Sequence, residues 1–278
     1  MLASFIRLSS RPLAVFGVVL VLAHVAMAVL APVVLSVNPL SILDMPLQPP
    51  GPEALLGTDE LGRDFLTRLL YGGRTAISVA LLAGGIATLG GGLLGLAAAR
   101  VGGWFDDVVS RFTEVQLSVP PILTVSLFVA ALGQSTAVLV AVSAIILSTG
   151  VIRTARAQGL NLMQSGYVKA AILRGESGLS IVLRELLPNA AELLAVEFAL
   201  RASSAFLLVS ALSFLGLGIS APTPDWGLMV SEGLSSLRYQ PWLVVMPALM
   251  ISSLVVGINF ATEGLSEVFG LEAARGGA

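Results

Sequence analysis

The sequence predicts an all-α, polytopic membrane protein of the fold class with about six transmembrane helices. Of its 278 residues, 56% are hydrophobic and only 12% are charged, and the mean hydropathy is +0.93. This apolar content exceeds what a water-soluble core uses. Several apolar runs reach the roughly 20 residues that a spanning helix needs, and none alternates like a barrel strand. The surplus apolar side chains are therefore expected to face lipid.

Six apolar runs are predicted to span the membrane. An even number places both termini on one side, and the segments on that side hold most of the Arg and Lys residues, which predicts cytoplasmic termini. Ala26-Met27-Ala28 resembles a signal-peptidase site, but the apolar run continues to Val37, so the first span is expected to remain an uncleaved anchor. The spans are predicted at about 13–35, 76–99, 112–133, 136–152, 190–215 and 243–266.

Two polar stretches are too long to be simple turns and organise the chain. The first belongs to an N-terminal part, 1–75, that holds the anchor helix and an extracytoplasmic segment. The second, about 153–189, interrupts a core of 76–270 on the inner side, and a cytoplasmic tail of 271–278 follows. Gly175 can end one short helix within the second stretch, and Pro188 suits the first turn of the next span.

The first polar stretch is predicted to form a short amphipathic helix at the outer interface, with Thr58 or Asp59 as its N-cap. Its apolar positions recur at helical spacing: Leu61, Phe65, Leu66, Leu69 and Leu70. The second span is rich in glycine, and Gly91 and Gly95 form a small-xxx-small pair. Such a pair permits close helix packing, either within this chain or across a dimer contact.

The inner polar stretch carries a motif that resembles a known family. Tyr167-Val-Lys-Ala-Ala-Ile-Leu-Arg-Gly175, followed by Leu186-Leu-Pro-Asn189, resembles the cytoplasmic EAA loop of binding-protein-dependent ATP-binding-cassette (ABC) importer permeases. Lys169 stands where Glu is usual in that family. The positions that match are Ala170, Ala171, Gly175, Leu187, Pro188 and Asn189.

A second, independent match lies in the outer polar stretch. Leu56-Gly-Thr-Asp-Glu-Leu-Gly-Arg-Asp-Phe-Leu-Thr-Arg68 looks like the segment that follows the first span in permeases of dipeptide, oligopeptide and nickel importers. The resemblance extends from the first span to about Gly270. The motif positions that this match identifies are Gly57, Thr58, Asp59, Gly62, Arg63 and Asp64.

The resemblance implies a type I ABC importer permease of the bacterial inner membrane. About 163–178 is then expected to form a coupling helix that docks on an ATPase subunit, with Ala170, Ala171 and Gly175 intolerant of bulk. The implied partners are a second related permease, two ATPase subunits and an extracytoplasmic solute-binding protein, within membrane lipid. The implied solutes are short peptides first, with nickel or metal chelates as the alternative.

The chain itself offers little chemistry. It has no G-x-x-x-x-G-K-[ST] segment, no Cys and a single histidine, His24, so we expect no nucleotide site, no cofactor, no metal site and no catalysis. The scattered basic residues argue against nucleic acid. A secondary transporter is the less favoured rival, because the inverted repeats that it predicts are not seen. An intramembrane enzyme lacks a catalytic pair.

Charged residues are the remaining candidates. Asp59, with Glu60 and Asp64, is interpreted as a cap and a surface partner of Arg63 and Arg68 rather than as a cation site. The fifth span holds three ionisable residues at depth: Glu192, Glu197 and Arg201. Glu197 and Arg201 are four residues apart and are predicted to pair. They either serve that pairing or a contact with the partner permease, or they line the translocation path.

Overall fold

The computed structural model describes residues 11–35 and 37–269, so the predicted tail, 271–278, lies outside the described residues. Helices account for nearly all of the regular structure in these ranges. We number the helices of seven or more residues in chain order: α1 Pro12–Val34, α2 Phe65–Tyr71, α3 Gly73–Val101, α4 Gly103–Leu117, α5 Pro121–Leu132, α6 Thr136–Met163, α7 Gly166–Leu173, α8 Ala191–Phe214, α9 Trp226–Gly233 and α10 Trp242–Val268.

Five helices of the described chain are long and apolar enough to cross a membrane: α1, α2 with α3, α6, α8 and α10. At 1.5 Å per residue each exceeds the roughly 30 Å of a hydrocarbon core. These helices confirm five of the six predicted spans. Segment 37–64 lies at one end of the bundle, the α2 end, and α7 lies at the other, the α7 end. Helix α1 leads towards segment 37–64, so Arg11 lies at the opposite end, the α7 end. Arg11 forms an ion pair with Glu267, so the last turn of α10 lies there too.

The predicted third span, 112–133, is wrong as a single helix. Its residues belong to the end of α4 and to α5, which meet at an angle of 90°. Pro120 is extended, with φ −55° and ψ 129°, because a residue that precedes proline is pushed out of the helical region. Helix α5 has 12 residues and reaches only about 18 Å. Residues 11–35 and 37–269 therefore contain six candidate spans only if α4 and α5 together count as one.

Two further boundaries differ from the sequence prediction. Helix α6 continues to Met163, so the first third of the predicted polar stretch 153–189 is an extension of the fourth span. Helix α2 has seven residues and leads almost directly into α3, with Phe65 and Leu69 buried in the bundle. It is therefore the first part of the second span and does not lie on the outer interface.

The N-cap of α2 is Asp64, which corrects the prediction of Thr58 or Asp59. A carboxylate oxygen of Asp64 accepts the N–H of Thr67 at 2.9 Å. Thr58 and Asp59 lie outside the helix, where their side chains bind other parts of the chain. The sequence correctly predicts that a side-chain oxygen near this position caps the helix. It does not single out Asp64, because Thr58 and Asp59 offer the same capping chemistry but bind other parts of the chain.

Glycines bring α3 against α6 and α8. A Cβ atom added to Gly95 would lie 2.5 Å from the carbonyl oxygen of Ile152, and one added to Gly91 would lie 2.8 Å from that of Ser148. Both contacts are with the backbone of α6. The predicted small-xxx-small pair therefore serves packing within this chain, and the alternative of a dimer contact through these two residues is not needed.

Glycine at position 95 should be required for stability, because a Cβ there meets backbone atoms that cannot move independently. We expect Gly95→Ala to lower the free energy of unfolding by about 1–3 kcal/mol, as overpacking does. Denaturation of the purified chain in mixed detergent micelles, followed by circular dichroism, measures this loss.

The matched control is Gly90→Ala on the same helix, where an added Cβ has no atom within 4 Å. Alanine is the better helix former by up to about 1 kcal/mol, so this variant should be as stable as the wild type or more so. Equal destabilisation by the two substitutions would contradict the packing described here.

Candidate functional site

Helix α7 has an inward face that anchors it to the bundle and an outward face that is free. Val168 and Ala171 are fully buried and pack in a cluster with Leu96 of α3 and Val151 of α6. The outward face exposes Tyr167, Lys169, Ala170, Ile172 and Leu173, and Leu173 is 88% exposed. The helix is thus a short rigid element with an unoccupied, largely apolar surface at the α7 end.

Gly175 ends α7 as predicted, and its role is conformational. Its φ of +77° lies in the left-handed region, and its N–H bonds the carbonyl of Ile172 while that of Glu176 bonds the carbonyl of Ala171. This is the Schellman arrangement, which favours glycine. A Cβ at Gly175 would have no atom within 4 Å, so lack of space within the chain does not explain this glycine.

The expectation of small residues at a partner contact therefore needs correction for this chain's own packing. Ala171 points into the bundle, where its size fits the buried cluster around Val168. Ala170 is the small residue that points outward. Two neighbouring alanines on a helix necessarily face different directions, and the sequence alone did not say which one faced the bundle.

Residues 178–189 return the chain to α8 through a widened helical turn. Its middle, Ile181–Leu186, is a π-helix, and the N–H of Leu187 bonds the carbonyl of Val182. Leu187 packs beside the buried cluster, while Pro188 and Asn189 are exposed. Pro188 precedes α8, which begins at Ala191, so it does not lie in the first turn of that span as predicted.

The matched motif at the α2 end forms a compact, hydrogen-bonded segment. Gly57 and Gly62 have φ values of +78° and +75°, which favour glycine. Thr58 is fully buried, donates to the carbonyl of Met45 at 2.8 Å and accepts the N–H of Gln48 at 2.8 Å. Asp64 caps α2. All six motif residues therefore have structural roles within the segment or at its exit.

A buried carboxylate lies at the centre of this segment. Asp59 accepts the N–H of Arg63 at 2.9 Å and its Nε at 2.7 Å, and it also pairs with Arg68, which reaches Glu232 at 3.1 Å. Burial opposes ionisation of Asp59, but the Arg63 N–H and the Arg68 charge outweigh it and lower the pKa of this carboxyl. The pairing of Asp59 with Arg63 and Arg68 was predicted correctly. The predicted surface location of this pairing is wrong, since Arg68 is 1% exposed.

Sequence spacing could not have found the distant contacts that hold this segment in place. Trp226 Nε1 donates to the carbonyl of Leu69 at 2.7 Å, and Trp242 Nε1 donates to that of Leu56 at 3.1 Å. Gln240 Nε2 donates to the carbonyl of Leu47 at 2.5 Å. These donors follow the motif by more than 150 residues. Segment 37–64 and α2 are therefore docked on α9, on the connection that follows it and on the first residue of α10.

Asp225 is a second buried acid of this end. It lies between α8 and α9, is fully buried, and accepts the N–H of Leu228 at 3.0 Å as the N-cap of α9. Burial raises the pKa of Asp225 to about 6, although the Leu228 hydrogen bond acts in the opposite direction. Asp225 is not among the site residues predicted from the sequence. Its position before Trp226, at the start of a helix, was the available signal.

The predicted pair in α8 is present. Arg201 Nε lies 3.0 Å from a carboxylate oxygen of Glu197, and Nη2 lies 2.9 Å from the same atom. Glu192 is exposed at the start of α8 and forms no ion pair with any described residue. The same ranges contain no group of three or more potential His, Cys, Asp or Glu metal ligands.

Comparison with known proteins shows similarity over nearly the whole chain. The family model described as "Binding-protein-dependent transport system inner membrane component" matches residues 91–267. The dipeptide transport system permease protein DppC of Alkalihalophilus pseudofirmus is 33% identical over 95% of this chain and 87% of its own length. The probable D,D-dipeptide transport system permease protein DdpC of Escherichia coli is 32% identical over 94% and 88%.

Arg68 should be essential for the stability of the α2 end. We expect Arg68→Met to lower the free energy of unfolding by about 3–5 kcal/mol, because it removes the buried charge that bridges Asp59 and Glu232 and leaves Asp59 with Arg63 alone. Arg238→Met, at an exposed arginine of the same end, is the control and should change stability by less than about 0.5 kcal/mol. Thermal denaturation in detergent compares them, and a wild-type melting curve for Arg68→Met would contradict the described network.

The raised pKa of Asp225 predicts a pH dependence of stability. The folded state binds the proton more tightly than the unfolded state, so this contribution is complete below the ordinary pKa of 3.8 and is lost as the pH rises through about 6. Asp225→Asn keeps a capping oxygen and removes the titration. Its stability relative to the wild type should therefore increase between pH 4 and pH 7.5, by up to ~3 kcal/mol. Parallel curves for the two proteins over that range would contradict this prediction.

Proposed function

This chain belongs to the family of binding-protein-dependent transport system inner-membrane components, and we propose that it imports short peptides together with separate ATPase and solute-capture subunits. It is an ABC importer permease, a multi-pass transport component of the inner membrane. The relatives named above are described as dipeptide permeases. These descriptions favour peptides over nickel chelates.

The observation that carries the proposal is the surface of α7. This helix is anchored by Val168 and Ala171 and leaves Tyr167, Ala170 and Leu173 without a partner in the described chain. An exposed apolar surface of this kind at the end of a bundle is typical of a protein contact. The family's EAA loop occupies this position, so we assign α7 as the coupling helix that docks on an ATPase subunit.

The orientation of the chain follows from its basic residues. The α7 end carries Arg153, Arg156, Lys169, Arg174 and Arg184. An excess of Lys and Arg favours the cytoplasmic side, so this end and both termini are assigned to the cytoplasm. The segment 37–64 is then extracytoplasmic, on the side from which a solute-binding protein delivers its ligand.

The mechanism uses α7 as a rigid contact. Binding of ATP closes the two ATPase subunits, and their movement shifts α7, which is packed on α3, α6 and the π-helix Ile181–Leu186. Packed elements transmit such a shift as a rigid-body motion. With a second related permease, these helices open the pathway alternately to the two sides, and hydrolysis by the ATPases resets it.

The coupling assignment is tested at Ala170. Ala170→Trp adds bulk to the outward face of α7 without touching the buried face, and we expect it to reduce recovery of the ATPase with the tagged permease by about tenfold or more, the equivalent of ~1.4 kcal/mol. Co-purification from detergent, with the second permease as an internal standard, measures this loss. A substitution at Ala170 tests the contact more directly than one at Gly175, because any side chain at Gly175 also strains the backbone.

The control is Glu53→Trp, which places the same side chain on an exposed site of segment 37–64. It should retain the ATPase at the wild-type level. If Ala170→Trp also retains it while the complex is otherwise intact, α7 is not the coupling surface. If the wild type recovers neither an ATPase nor a second permease, the proposed multi-subunit importer is refuted.

A further inference from the structure

Arg201 is a charged residue near the middle of a spanning helix, α8 Ala191–Phe214. By contrast, Arg74 and Arg100 lie at the two ends of α3. Ionisable side chains at such depth are costly and mark functional positions.

The pair formed with Glu197 is unequal in its exposure. The side chain of Glu197 is 3% exposed, whereas that of Arg201 is 22% exposed. Arg201 donates one hydrogen bond, from Nε, to a carboxylate oxygen of Glu197, and Nη2 lies 2.9 Å from the same oxygen. Glu197 therefore binds the guanidinium group from the buried side. Arg201, the positively charged residue of the pair, is the one that is accessible from outside this bundle.

Helix α6 fixes the other side of the guanidinium group. A Cβ atom added to Gly150 would lie 2.8 Å from Nη1 of Arg201, so the absence of a side chain at Gly150 makes room for the group. Contacts of α8 with α3, through Gly84 and Gly92, are made by Ala202 and Leu194. The guanidinium group thus lies beside α6, held between two elements and open on a third side.

We infer that Arg201 binds a carboxylate group at mid-depth, and that this group is the C-terminal carboxylate of a peptide in transit. A guanidinium group matches a carboxylate through parallel N–H donors. A free peptide carries that charge through a region where it is costly unless a counter-charge is present. Glu197 partly neutralises Arg201, which keeps the binding weak enough for release, as conduction requires. This inference rests on the peptide import proposed above.

The test compares two versions of one peptide in the reconstituted transporter, with its ATPases, second permease and binding protein. One version has a free C-terminal carboxylate and the other a C-terminal amide, each at a concentration that saturates the binding protein. The variant is the double substitution Glu197→Gln with Arg201→Gln, which removes both charges without leaving either one unpaired.

The double variant should transport the free-acid peptide about tenfold more slowly than the wild type, since a hydrogen bond to a charged group is lost, and should transport the amide at the wild-type rate. The matched control replaces an exposed pair, Arg111→Gln with Glu114→Gln, whose side chains are 82% and 63% exposed, and should leave both rates unchanged.

Three results would overturn the inference. If the double variant transports both peptides at wild-type rates, the pair is structural only. If the double variant slows the transport of both peptides equally, Arg201 does not distinguish a C-terminal carboxylate from an amide. If the second permease no longer co-purifies with it, the carboxylate that Arg201 binds belongs to that subunit. Failure of the wild type to transport either peptide instead refutes the peptide import proposal, which separates the two questions.

Discussion

The close approach of α3 to α6 is the contact on which the rest of the structure depends. Gly91 and Gly95 let the two helix backbones meet, and in lipid, where apolar burial gives little drive for helix association, such packing is the main attraction. Helix α8 then packs on the same helix, α3, through Gly84 and Gly92. The cluster that anchors α7 uses Leu96 and Val151 from this core. A push on α7 therefore acts first on α3, α6 and α8.

Helices α1 and α10 form a second seam that also packs on this core, since Ala28 and Leu254 belong to the same buried cluster as residues of α3, α6 and α8. Gly17 and Gly257 allow their backbones to touch, and both helices expose much of their apolar surface. At the α2 end the two groups are joined, because segment 37–64 and Arg68 bind residues between α8 and α10.

The sequence predicts the parts of this structure that depend on neighbouring residues. Apolar runs locate α1 and α8 because length and composition decide whether a helix spans a membrane, and the spacing of Glu197 and Arg201 predicts their pair. The Pro120–Pro121 pair encodes the break between α4 and α5 locally, but not the 90° angle at which the chain continues, so the prediction of one span at 112–133 is wrong. Asp59 resembles a cap, but its partner Arg68 also contacts Glu232, 164 residues away, and no local pattern reveals that.

The two buried charge networks differ in a way that fits their positions. At the α2 end, Asp59 accepts several donors, and the enclosed guanidinium group of Arg68 bridges Asp59 and the partly exposed Glu232, so this cation is paired with carboxylates of its own chain. At mid-depth in α8, Glu197 is enclosed but Arg201 is partly open. A network that only maintained the fold would gain by enclosing both charges, since an exposed guanidinium group in a membrane is costly. The open side of Arg201 is therefore better explained by a ligand than by packing.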